Sequence, residues 1–581
     1  MHIYKNNFHR GSFNIWDLCI ILIICGIIFA IGKGLHEMDS SIGAIAKNEI
    51  YLDPIHLLEY TLQTTLRMFI AIIISLITAI IYGIIAAKYK TAENILIPIL
   101  DIFQSVPILG FLTFTVTWFV SIFPNSSLGI ECAVIFATFT NQVPNIAFSF
   151  YQSLKTIPND LVEASNIFKL SPLKKFLKLE LPFATQGLIW NSMMSMSGGW
   201  FFLVASETVV IGGNTISVPG IGSYIAKAIY EKDIISIIYS VITMFIVIIL
   251  YDQIIFRPLI VWADKFRYEN IVKICTPKSM VVDLFKKTNF ITIYIAKIIS
   301  IIFIPCNFLA NNITKLISNL LSKLYIIFIK PIPNLLIAII WYGCLACLAI
   351  YAANKCYDFV KTAISLSEFL LVIKLGFFTL LRVIAMVILA IIIWVPIGVF
   401  IGLNSSYTEK MMPVIQIASA FPANFLFPFV VIFISHYNLN PNIALSFLMI
   451  LGTQWYILFN VIAGTSAFPA DLKESANIFR VKGWLWWKNI ILPGIFPHIV
   501  TGVITAYGGA WNASIVAEIV SWGNVRISAI GLGSYITNAA NASDYSRVAI
   551  GVVVMSLYVI VISRLVWRPL YNLSVSKSKL S

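Results

Sequence analysis

The sequence predicts an all-α polytopic membrane protein: two tandem six-helix domains, about 12 spans in all, related by a pseudo-twofold axis. Three observations predict it. The chain is 59% hydrophobic and only 11% charged, against roughly 25% charged residues in soluble domains, so it cannot dress a soluble surface. Its apolar residues fall in runs near the ~20 that a helix needs to cross a bilayer. The second half also repeats the first. Glu163 matches Glu474, Pro182 matches Pro493 and Trp200 matches Trp511 at one offset, which persists through Glu207 and Glu518 and through Arg257 and Arg568. An ungapped repeat this long is a duplicated domain, not a solenoid unit.

The elements follow in order. A first run at 15–31 comes after Lys5 and Arg10 and lacks a small-x-small cleavage site, so it reads as a retained span rather than a signal peptide. Further runs lie near 60–87, 97–122, 129–151, 183–211 and 234–260, closing a first domain over 1–263. A second domain, 333–581, holds runs near 334–353, 372–403, 411–435, 441–463, 494–520 and 547–567. If the chain starts inside, the loops at 88–96, 152–181, 404–410 and 464–492 are cytoplasmic, and they carry Lys88, Lys90, Lys155, Lys174, Lys175, Arg480 and Lys488. The outer loop at 32–59 carries Glu37, Asp39, Glu49, Asp53 and Glu59 against Lys33 and Lys47. That is the positive-inside bias. It puts both termini in the cytoplasm and accounts for the net charge of +14 without nucleic acid.

Between the domains, 264–332 is a basic cytoplasmic linker. Its apolar stretches are broken by Lys297 and Lys323. They read either as amphipathic helices on the inner leaflet or as an extra membrane hairpin. Cys344 and Cys347 have redox spacing but no partner pair, and read as packing residues. The six His form no cluster that suggests a metal.

The repeated loops are the most informative segments. Pro158-Asn159-Asp160 and Pro469-Ala470-Asp471 supply a proline turn and an Asp suited to cap a helix. A short helix follows, then a basic or aromatic stretch, then Leu181-Pro182 or Leu492-Pro493, where the next span begins. A short helix across the cytoplasmic mouth, tied at both ends to long spans, is a lever suited to transmit force from a soluble partner.

The spacing Glu-Ala-Ser…Leu-Pro resembles the EAA loop of permeases of binding-protein-dependent ABC importers. The wider pattern resembles the duplicated, fused permeases of the nitrate/taurine/sulfonate branch. Carried over by position, the resemblance covers Glu163, Ala164, Ser165, Phe176, Leu181 and Pro182, and Glu474, Ser475, Ala476, Trp487, Leu492 and Pro493. It implies two type I ABC importer permease domains whose loops are coupling helices. It implies two copies of a separate ABC ATP-binding subunit that holds ATP-Mg, with no cofactor on this chain. It further implies a solute-binding protein on the outer face, residence among the lipids of a bacterial cytoplasmic (inner) membrane, and a small anion such as nitrate, sulfonate or bicarbonate as solute. One departure matters: the family's usual Gly, six residues after the Glu, is Lys169 and Arg480 here. Pro172 and Gly483 are then expected to supply the bend slightly later.

Other residues keep two readings. Glu207 and Glu518 are ionisable groups in or beside spans, which makes them gate or pathway candidates; alternatively they pair with the intramembrane cations Arg67 and Arg382. The Gly-rich segments 212–222 and 523–533 read as re-entrant or outer loops, or as plain turns. Ser195, Trp200, Gly508, Trp511 and Asn512 lie on the helix after each loop and serve close packing or line a pathway. No phosphate-binding loop of the G-x-x-x-x-G-K-[ST] type occurs, so ATP chemistry is not expected on this chain. The alternative is an ion- or proton-coupled secondary transporter built from repeats, which calls for acidic groups in mid-membrane. A membrane enzyme would need a catalytic cluster that the sequence does not offer.

Overall fold

A computed structural model describes residues 50–105, 107–124, 126–211, 214–266, 365–466, 470–523 and 525–567, with isolated positions elsewhere. The expected span at 15–31 lies outside the described residues. So do Cys344 and all but scattered positions of the span at 334–353 and of the linker 264–332.

In the first repeat the order is α1 (Pro54–Lys88), α2 (Lys90–Ser105), α3 (Ile108–Ile122), α4 (Leu128–Lys155), α5 (Asn159–Ile167), α6 (Pro172–Lys175) and α7 (Leu181–Ser206). A hairpin of β1 (Thr208–Ile211) and β2 (Asn214–Ser217) follows, then α8 (Ile221–Glu231), α9 (Ile234–Tyr251) and α10 (Arg257–Ala263). The second repeat runs α11 (Leu366–Gly402), α12 (Ser405–Ala420), α13 (Phe427–Tyr437), α14 (Ser446–Leu451), α15 (Gln454–Ser466), α16 (Ala470–Ile478), α17 (Gly483–Trp486) and α18 (Leu492–Ala517). It ends with β3 (Ile519–Trp522), β4 (Val525–Ser528), α19 (Leu532–Asn541) and α20 (Tyr545–Ile562). The two orders correspond.

Local chemistry sets the helix ends. Asp233 accepts from Ile235 N and Ser236 N at the start of α9, and Asp544 accepts from Arg547 N at the start of α20. Pro54 opens α1 and Lys88 closes it, each at the end where its chemistry fits.

Three expectations change on inspection. Five helices among the described residues are long and apolar enough to cross a membrane, or seven if two bent pairs count as spans; two of the twelve expected runs lie outside these residues, which therefore do not fix the count at twelve. The run at 411–435 bends by 74° between α12 and α13, and the run at 441–463 bends by 43° near Gly452. The run at 97–122 is likewise split into α2 and α3, with Pro107 at the cap of the second. α4 and α7 have spanning length, 28 and 26 residues, but hold more polar residues, among them Glu131, Asn141, Gln142, Asn191 and Ser195. The Gly-rich segments are not plain turns throughout. Each begins inside an antiparallel hairpin, pairing Thr208 with Ser217 and Ile519 with Ser528. In sequence, β-branched residues flank Gly212-Gly213 and Gly523-Asn524, a pattern that favours hairpins.

The chain divides into two compact units. The first is described chiefly over Ile157–Phe183. The second, Ala30–Thr156, Ala184–Pro277 and Leu366–Ser581, contains helices of both repeats. Within it the repeats interlock: α3 packs on α18 and α20, and α12 packs on α9. Asn512 Oδ1 accepts from Ile108 N at 2.6 Å, while Asn424 Nδ2 donates to Phe201 O at 3.3 Å. Gln416 Nε2 donates to Asp252 Oδ1 at 2.6 Å. Gly523 N donates to Ile229 O, which docks the second hairpin on α8 of the first repeat.

Candidate functional site

The first repeated loop is built around α5. Pro158 occupies the cap and Asp160 falls inside the first turn, so the helix dipole rather than an Asp cap favours its carboxylate there. α5 ends in a Schellman motif: Lys169 N donates to Asn166 O and Leu170 N to Ser165 O. Lys169 is left-handed, with φ 48°. The bend therefore sits at the position of the family's glycine, not later at Pro172, which only opens α6. Ser165 is buried and its hydroxyl turns back onto Val162 O at 2.6 Å, Ala164 is half-buried, and Glu163 is exposed. Phe176 opens a π-helical turn, Phe176–Glu180, that feeds into α7 at Leu181-Pro182; all three are half-buried.

The second segment repeats this plan. Arg480 has φ 51° and Val481 N donates to Ala476 O. Gly483, φ 59°, adds a second left-handed residue. Glu474 and Ser475 are exposed and Ala476 is buried. Trp487 opens a π turn, Trp487–Ile491, before Leu492-Pro493. At the tip of each segment an apolar pair stands in the open, Ile167-Phe168 and Ile478-Phe479, each at least 72% exposed. An exposed aliphatic-aromatic pair beside a cation and a Glu is thus presented twice.

Two buried carboxylates form the second feature. Glu207, with no exposure, accepts from Arg67 Nη1 at 2.8 Å, from Thr64 Oγ1 at 2.7 Å and from Gly222 N at 2.6 Å. Arg67 also holds Glu131 in a bidentate pair at 2.6 and 2.7 Å. Glu518 accepts from Arg382 Nη1 at 3.1 Å, Thr379 Oγ1 at 2.8 Å and Ser534 N at 3.0 Å. Arg382 then meets Asn442 Oδ1 and Ile530 O instead of a second carboxylate. Each Glu lies at the N-terminus of the helix after its hairpin, where backbone N–H groups welcome an anion. A Cβ on Gly220 or Gly531 would strike that carboxylate, and one on Gly222 or Gly533 would strike the carbonyl of Val204 or Ser514, so these glycines are needed for close approach. Each Glu thus ties a long span, a hairpin and a helix end into one body. The sequence paired Glu207 with Arg67 and Glu518 with Arg382, and the geometry joins them. It missed Glu131, Asn442 and the Thr-x-x-Arg spacing of Thr64-Arg67 and Thr379-Arg382, which is visible in both repeats.

Of the remaining candidates, Gly508 and Asn512 lie at the seam between repeats. Trp200 and Trp511 are fully buried, Trp200 edge-on to Tyr251 and Trp511 stacked on Tyr558. Neither indole N–H has a hydrogen-bond partner. Gly508 approaches Gln104 O, and Ser197 meets Ser419 Oγ at 3.4 Å. Asn512 serves as the cap of α3 described above. Ser195 is buried. Among the described residues no three His, Cys, Asp or Glu stand close enough to hold a metal.

Where α2 meets the end of α4, Lys155 Nζ and Tyr151 Oη both bond Glu93, at 2.8 and 2.5 Å. The Lys155 bond, then the Tyr151 bond, hold the Glu93 carboxyl below the usual carboxylate range.

The sequence matches the family described as "Binding-protein-dependent transport system inner membrane component" twice, over residues 59–256 and 394–567. Similar proteins include the nitrate import permease protein NrtB of Leptolyngbya laminosa, 24% identical over 188 residues, 32% of this chain and 64% of that protein. The bicarbonate transport system permease protein CmpB of Synechococcus elongatus is 27% identical over 178 residues, 31% of this chain and 61% of that protein. The glycine betaine transport system permease protein OpuAB of Bacillus subtilis is 28% identical over 182 residues, 31% of this chain and 57% of that protein. The chain thus spans somewhat less than two thirds of the length of each relative.

Proposed function

We propose that this chain, which belongs to the family of inner membrane components of binding-protein-dependent transport systems, is the complete membrane-spanning permease of an ATP-driven importer. As a fused permease of the nitrate-type branch, it supplies both halves of the solute pathway, which its relatives' lengths suggest are separate chains. Two copies of an ATP-binding subunit dock on the two coupling segments. A solute-binding protein delivers a small anion to the outer face, and the termini lie in the cytoplasm. ATP and magnesium belong to the partner subunit; this chain binds no cofactor and catalyses no reaction.

The observation that carries the reading is the twofold presentation of the same tip. Glu163 and Glu474 are exposed beside Ile167-Phe168 and Ile478-Phe479, and each short helix is tied through a π turn to a long span, α7 or α18. The nitrate and bicarbonate relatives support a small anion, while the glycine betaine relative keeps the solute's charge a matter for test. A secondary transporter finds less support: the buried carboxylates Glu207 and Glu518 are each occupied by an arginine and by backbone donors, which leaves them poorly placed to exchange ions.

The test is the double variant Glu163→Arg, Glu474→Arg. Expected is normal membrane insertion with loss of solute-stimulated ATP hydrolysis in the assembled complex. Undiminished stimulation at normal expression removes the coupling role.

A further inference from the structure

We propose that the two repeats line the solute path unequally: Asn141 and Ser195 of the first and Tyr456 of the second present hydrogen-bond donors to an oxyanion. The inference rests on the importer reading above and names the site within it.

Ser195 is fully buried and its hydroxyl has no hydrogen-bond partner among the described residues. The other serines of α7 behave differently: Ser192, Ser197 and Ser206 each donate to their own backbone, at 2.6, 3.1 and 3.0 Å. The amide nitrogen of Asn141, on α4, is also buried without a partner. A buried donor left unpaired is costly to a fold and calls for an explanation. One turn beyond Ser195 lies Gly198. A Cβ there would fall 2.5 Å from Tyr456 Oη and 3.3 Å from Asn141 Nδ2. One polar group from each repeat therefore packs against the same glycine of α7. Gly199, beside it, has Gln142 Nε2 against its missing Cβ at 2.8 Å.

The second repeat differs at the two positions equivalent to Asn141 and Ser195. At the repeat's offset, Asn141 corresponds to Gly452 and Ser195 to Ala506. A Cβ on Gly452 would meet nothing within 4 Å, so the place opposite Asn141 is open but has no donor. Arg67 is held between Glu131 and Glu207, which leaves neutral N–H and O–H groups to face the solute. Such donors suit acceptor oxygens, and their lack of formal charge suits a path, where binding must be weak enough to release.

The experiment uses the full chain with its eight native cysteines replaced by serine, assembled with its ATP-binding subunit in proteoliposomes. Single cysteines are placed as Asn141→Cys, Ser195→Cys, Gly452→Cys and Ala506→Cys. A small hydrophilic thiol reagent should modify positions 141 and 195 under ATP turnover. At least one of nitrate, bicarbonate and taurine should slow that modification, while leaving positions 452 and 506 unaffected. Ser195→Ala breaks no bond within the fold, so its unfolding temperature should hold or rise. It should nevertheless weaken the protection of position 141 by about tenfold, the worth of one good hydrogen bond. The proposal is overturned if position 195 stays unmodified, if no oxyanion protects it, or if position 506 is protected equally. A wild-type assembly with no ATPase activity would sink the importer reading itself; an active assembly without protection sinks only this inference.

Discussion

Replacing Arg67 by Met should be the most damaging single change in the molecule, and more damaging than Arg382→Met. Arg67 has no exposure, and its guanidinium is shared by two carboxylates, Glu131 at 2.6 and 2.7 Å and Glu207 at 2.8 Å. Removing one partner of a buried ion pair costs about 3–5 kcal/mol, because the other charge stays behind unpaired. Here two charges stay behind, so the upper end, about 5 kcal/mol, is the expected minimum. Arg382 is 12% exposed and neutralises one carboxylate, Glu518; its other partners, Asn442 and Ile530 O, are uncharged. Its loss should sit at the lower end, about 3 kcal/mol. The gap of about 2 kcal/mol is measurable by thermal unfolding of the chain in lipid nanodiscs. The triple variant Arg67→Met, Glu131→Gln, Glu207→Gln removes the stranded charges and should recover much of the loss. Equal destabilisation at the two arginines, or a triple variant no better than the single, would refute the reasoning.

Lys169→Gly and Arg480→Gly should each stabilise the end of a coupling helix by about 1 kcal/mol, since a left-handed residue with a side chain is strained by that order; slower amide exchange at Leu170 and Val481 checks it, and faster exchange counts against the Schellman geometry. Glu93 should give acid sensitivity. Its pKa is depressed on folding, so its contribution is fully present above the ordinary carboxylate range and is lost as pH falls through the lower folded value. Glu93→Gln should flatten that part of a stability–pH curve, and an unchanged curve argues against the Lys155 and Tyr151 contacts.

What the sequence made legible has physical reasons. A lone charge in an apolar run is costly enough to need a partner, which is why Arg67, Arg382, Glu207 and Glu518 stood out and could be paired. Glu131 was hidden because it opens a run that is polar in places, and its counterpart in the second repeat is a neutral Asn. The coupling segments were readable from repetition alone, yet the bend was misplaced: glycine is the easy left-handed residue, and nothing in composition reveals that Lys169 and Arg480 adopt that conformation. The hairpins at 208–217 and 519–528 were missed because β-branched residues are as common in spans as in strands. The broken spans were missed because hydropathy records apolar length and not direction. Asn141 and Tyr456 escaped notice because their meeting depends on α4 and α15 converging over a glycine of α7.

The claim that one chain provides both permease halves is tested most directly by the mass of the assembled complex. Interlocking of the repeats inside a single chain, through Ile108–Asn512, Asn424–Phe201 and Asp252–Gln416, leads us to expect one copy of this chain with two ATP-binding subunits in native mass spectrometry. A complex with two copies of this chain per pair of ATP-binding subunits would contradict it.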